Sequence, residues 1–130
     1  MSPSSLLAAA AVLAFATGIV HSTLGEWLIF RRLRGSSFVP SQPAPPLGER
    51  HVRILWASWH LVSIFGWALA WLLWRAAQHE GAAVSVDGLL QVAASSFLAG
   101  ALLVLVGTRG RHPGWIALAA VALLAWLGIP

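Results

Sequence analysis

Three ionisable side chains fall inside apolar stretches of this 130-residue sequence: His21, Glu26 and His60. In hydrocarbon such a group costs about 3 kcal/mol even on insertion scales, so each needs a partner or a purpose. Two imidazoles at one depth of a helical bundle are what a haem iron takes as axial ligands. Two His with a carboxylate can also hold a divalent metal, and imidazoles that titrate near neutrality can relay protons or bind the head group of a quinone or lipid. His21 and His60 are therefore the expected cofactor-binding or metal-binding pair, with Glu26, Arg53 and Ser63 in support. No histidine box or HExxH spacing accompanies them, so the sequence names no ligand.

Helical geometry makes the pairing testable. At ~1.5 Å per residue His21 lies roughly 15 Å before Arg31, and His60 roughly 10 Å after Arg53. On antiparallel neighbours the two rings sit at similar depth. His21 shares a face with Ala10, Ala14, Thr17, Gly18 and Gly25, small residues that let another helix approach. The stripe through His60 reads Arg53, Trp56, His60, Ser63, Trp67, Trp71 and Trp74. Glu26 is turned about 140° from His21, towards Ser22 and Thr23, and is expected to pair with Arg50 or Arg53 or to reach the headgroups. Plain interhelical hydrogen bonds to Thr17, Ser63 or backbone account for the same histidines without a ligand.

The elements that position these residues follow from composition. Hydrophobic residues make up 58% of the chain and charged ones 9%, with a mean hydropathy of +0.79, against roughly 25% charged in a soluble domain. So few charges cannot cover a water-facing surface, and the expected fold is an all-α integral membrane protein, a compact bundle of about four transmembrane helices in one domain. The spans are expected at about 6–30, 54–74, 89–106 and 113–129. The fourth is the shortest against the ~20 residues a crossing helix needs. Met1–Ser5 carries no positive charge, so the first apolar run reads as a retained span and not as a secretory signal. Four prolines between 35 and 50 predict an extended solvent loop, and Gln78–Gly88 a short polar one.

All eight basic residues are Arg, and seven flank the first and third loops. By the positive-inside bias those loops face the cytoplasm, with both termini on the far side of a cytoplasmic (inner) membrane. The lipid bilayer is the expected partner, with a homo-oligomer or a larger membrane complex beside it; nucleic acid is a poor reading of Arg placed this way. His51 and His112, next to Arg at the cytoplasmic ends, read as headgroup contacts, and Trp27, Trp56, Trp74 and Trp115 as an interfacial belt. The absence of Cys excludes disulfides, thiolate catalysis and Cys-ligated metals.

In size alone the chain resembles small multidrug transporters and fluoride channels. Glu26, however, lies near the end of its span and the Arg bias fixes one topology, so the chain is assigned to neither. Three functions follow: a bundle with an intramembrane polar site on His21 and His60, an accessory or scaffold protein whose polar residues only lock helices, and a small oligomeric transporter or channel. The last is disfavoured by spans three and four, which hold no charge. Ser22, His21, Glu26, Ser63 and His60 can be combined into Ser/His/acid sets, but sequence proximity is not catalytic geometry, and no enzyme class is implied.

Overall fold

A computed structural model describes residues 2–78 and 85–129, which form four α-helices and, among those residues, no strand. Helix α1 spans Pro3–Leu28, α2 Glu49–Gln78, α3 Val86–Thr108 and α4 Gly114–Leu127. The starts are chemically marked. Ser2 caps α1 by accepting from the Ser5 amide at 3.2 Å, with Pro3 in the first turn. Ser85 accepts from the Gly88 amide at 3.1 Å, and Asp87 places negative charge in the first turn of α3. The expected polar loop falls largely on residues 79–84, outside the described part.

Helices of 26, 30 and 23 residues are about 39, 45 and 35 Å long, each exceeding the ~30 Å of bilayer hydrocarbon. Helix α4, with 14 residues, is about 21 Å long and falls short of it. Among the described residues, then, three helices are long and apolar enough to cross. Large apolar side chains on all four helices stand exposed, among them Leu13, Leu69, Leu102 and Leu124. A chain with such an exterior is a membrane protein, because lipid is the solvent that covers it without cost.

Each helix packs chiefly on its neighbour in sequence: α1 on α2, α2 on α3, and α3 on α4. After α1 the chain turns through a single 3-10 segment, Phe30–Leu33. The segment that follows is only partly the solvent loop its prolines suggest. The amides of Ser41 and Gln42 both donate to the Leu33 carbonyl, at 3.0 and 2.9 Å, which folds the loop back on the helix ends. Val39 and Pro40 are thereby buried, and Val39 joins Phe30, Trp56, Ala57 and Val104 in the main apolar core.

Candidate functional site

Helices α1 and α2 meet along a stripe of close-approach residues, and the approach has a repeated cause. At Gly18 and at Gly25 the space a Cβ would fill is taken by an indole from α2, Trp67 at the first and Trp59 at the second. Each indole presents its Nε1 edge at the glycine and donates to a backbone carbonyl of α1. Trp67 Nε1 donates to Phe15 at 3.1 Å, and Trp59 Nε1 to His21 at 3.0 Å. The small face expected on α1 thus receives two tryptophans and brings the backbones close enough for short side chains to bridge.

The bridging side chains form one network. Glu26 is its hub. Its Oε1 accepts from Trp56 Nε1 at 2.5 Å and from His60 Nε2 at 3.1 Å, and its Oε2 accepts from Arg34. On the other side of the ring, His60 Nδ1 lies 2.9 Å from Ser22 Oγ. Ser22 in turn donates to Ser63 Oγ at 2.8 Å, and Ser63, almost fully buried, donates to the Gly18 carbonyl at 3.0 Å. The order along α1 (18, 22, 26) runs against the order along α2 (63, 60, 56), as antiparallel neighbours require.

The hydroxyl protons allow the chain two polarities. With Ser63 on the Gly18 carbonyl and Ser22 on Ser63, His60 must donate from both nitrogens and is an imidazolium facing the Glu26 carboxylate. A neutral His60 that donates from Nε2 instead accepts from Ser22 at Nδ1, and the single proton of Ser63 then serves either the Gly18 carbonyl or Ser22. At its longest the chain reaches a backbone carbonyl eight residues from Glu26, about 12 Å along α1, far less than a bilayer crossing. It supplies no continuous polar path. In α3, the hydroxyls of Ser95 and Ser96 are spent on carbonyls of their own helix, at 2.7 Å to Gln91 and 2.6 Å to Val92.

The structure separates the two histidines chemically. His60 belongs to the Glu26 network. His21 stacks on Trp59 with ring centroids 4.4 Å apart and planes 7° from parallel, and its buried Nε2 has no hydrogen-bond partner. Of the supporting residues, Glu26 and Ser63 join His60, while Arg53 lies elsewhere, 3.7 Å from Glu49 on the side facing α3. The partner expected for Glu26, Arg50 or Arg53, is replaced by Arg34. The 3-10 turn brings Arg34 back over the end of α1, and its guanidinium also covers the Phe38 ring at 4.9 Å. Trp56, expected at the interface, is buried and donates into the network, because it sits one turn before His60 on the face towards α1.

Trp59 escaped the sequence reading altogether. It lies one position off the His60 stripe, and only the glycine opposite it reveals its place. Ser22 and Arg34 carried a weaker signal, as polar residues beside Glu26 and after it.

Ser22, His60 and Glu26 have the connectivity of a Ser–His–acid relay, but Ser22 is mid-helix, where the backbone N–H groups are committed to helical bonds and offer no oxyanion hole. Haem does not fit the pair either: both ring nitrogens of His60 are taken by Ser22 and Glu26, leaving none for an iron. No three His, Asp or Glu side chains converge in a metal-binding group among the described residues. Comparison with family models, with curated proteins and with solved structures finds no match. Fold and site together define a helical membrane protein whose first two long helices are joined by an internal polar network.

Proposed function

We propose that the chain is an accessory membrane protein without chemistry of its own, whose intramembrane polar residues lock α1 to α2 and whose lipid-facing helices serve a larger assembly in the cytoplasmic membrane. The observation that carries this reading is that the network's partners are protein groups: Glu26, His60, Ser22 and Ser63 bond to one another and to Arg34, Trp56 and Gly18, with Arg34 Nε left buried and without a partner. A polar cluster bonded in this way is interhelical cement. The main helix contacts run between sequence neighbours, which leaves the outer faces of α1 and α4 for lipid or for a partner chain. The Arg-rich end, at Arg31–Arg34, Arg50, Arg53, Arg109 and Arg111, is taken as cytoplasmic.

One observation favours a second reading, an intramembrane site for a quinone or lipid head group: the buried, unpartnered Nε2 of His21. A carbonyl or hydroxyl of such a ligand would satisfy it. Purification in mild detergent, followed by the visible spectrum, metal content and extraction of bound small molecules, tests both. The first reading expects no stoichiometric chromophore, metal or quinone, and lowered resistance to unfolding in Glu26→Gln and His60→Ala. A stoichiometric quinone or lipid lost in His21→Phe, which keeps a ring against Trp59, would establish the second. A chromophore or metal lost in His60→Ala would overturn the first.

A further inference from the structure

A cleft lined by basic side chains lies away from the Glu26 network, at the Arg-rich end between α2 and α3. Its volume is about 340 Å³, and Arg50, Arg53, Arg109 and Arg111 line it together with His51 and His112. The Arg and His side chains there can all donate, while Thr108 is turned to its own backbone. Thr108 has spent its hydroxyl proton on the Val104 carbonyl at 2.7 Å, and its oxygen accepts from the His112 amide at 3.4 Å. His51 Nδ1 accepts from the Gly48 amide at 3.3 Å and His112 Nδ1 from the Gly114 amide at 3.1 Å. The proton of each neutral ring is therefore on Nε2, where it can be donated.

Arg53 makes this more than a basic surface. It is only 5% exposed, and its Nε and Nη1 have no hydrogen-bond partner. Among the described residues one carboxylate, Glu49, approaches the cluster from the rim, with Oε1 at 3.7 Å from Arg53 Nη1 and 3.5 Å from Arg109 Nη1. Both distances are too long for good charge-assisted hydrogen bonds. A buried guanidinium among three others, with one loosely placed counter-charge, leaves a site short of negative charge and of acceptors.

The backbone supplies a second sign. Arg109, which closes α3, adopts a left-handed conformation with φ 52° and ψ 39°, a position that favours glycine. An Arg held there places its guanidinium over the cleft at some cost in backbone energy.

The geometry points to this cleft as a binding site for a phosphate group, presented either by an anionic phospholipid head group or by a free phosphate. Multiple guanidinium donors around a compact tetrahedral oxyanion match its charge and its several acceptor oxygens. The apolar wall at Ile54 and the position at the ends of two helices long and apolar enough to cross a bilayer favour the lipid source.

The left-handed position also provides the test. Arg109→Gly removes the cation where the backbone prefers glycine, so lost binding cannot be assigned to lost folding. Full-length protein in nanodiscs of phosphatidylcholine, with or without phosphatidic acid, is compared by native mass spectrometry of retained lipid, with inorganic phosphate titrated as competitor. Phosphatidic acid should be retained over phosphatidylcholine, and Arg109→Gly should weaken retention about tenfold or more, with an unchanged or raised unfolding midpoint. Arg31→Gly, which removes an Arg outside the cleft, should leave retention unchanged. Glu49→Gln should strengthen it, a direction that a merely structural Glu49 would not produce. Displacement by millimolar inorganic phosphate identifies a free oxyanion as the ligand; retention despite phosphate identifies the lipid. Equal effects of Arg31→Gly and Arg109→Gly, or no preference over phosphatidylcholine together with no binding of phosphate, would overturn the proposal.

Discussion

The same substitution, Gly to Ala, should act with opposite sign at two positions of the first helix pair. At Gly25 a new methyl group meets the Trp59 indole, with Cδ1 and Cε2 both only 2.7 Å from the added Cβ. Trp59 must withdraw, straining the interface by about 1 to 3 kcal/mol and giving up its bond to the His21 carbonyl, worth about 1 kcal/mol. The better helix propensity of Ala offsets about 1 kcal/mol. The net loss is about 2 kcal/mol, roughly a thirtyfold shift in the folding equilibrium. At Gly66 nothing lies within 4 Å of the new Cβ, so Gly66→Ala keeps only the propensity gain, up to about 1 kcal/mol. Titration of micellar protein with a denaturing detergent, followed by tryptophan fluorescence, reads both. If Gly25→Ala matches the parent protein, or if both variants move in one direction, the close approach of Trp59 over Gly25 is not what holds α1 to α2.

Other substitutions probe the polar chain in the same assay. Ser63→Ala removes the donor to the Gly18 carbonyl and the acceptor of Ser22, and should cost about 1 to 2 kcal/mol. Thr17→Ala, whose hydroxyl serves only its own helix at the Leu13 carbonyl, should change stability by less than about 0.5 kcal/mol. Trp56→Phe leaves Glu26 one donor short and should destabilise by about 1 to 2 kcal/mol. Trp27→Phe, at a residue that is 55% exposed, should stay within about 0.5 kcal/mol. Similar losses for the two Trp variants would return Trp56 to the role of an interfacial anchor.

Hydrophobic excess and the scarcity of charge decided the solvent, and with it the helical class, since only internally bonded helices or closed barrels can place backbone in lipid. Three long apolar runs, interrupted by Arg and Pro, marked the long helices. The glycines at 18 and 25 marked the face of α1 that accepts a neighbour, and the scarcity of ionisable groups singled out His21, Glu26 and His60. Pairing was beyond the sequence, because depth along an axis fixes one coordinate of a side chain and leaves its rotation and its competing partners open. His21 and His60 can share a depth and still part company: the Trp59 indole occupies the space against the His21 ring, and Glu26 is a stronger acceptor for His60 than a second imidazole. Likewise the seven Arg of the basic end look alike as charges in a loop count. Only the packing of α2 against α3 buries Arg53 beside Arg109 and Arg111, while the 3-10 turn folds Arg34 onto Glu26. Residue types set which groups needed partners; the tertiary fold, by fixing distance and access, set which partners they found.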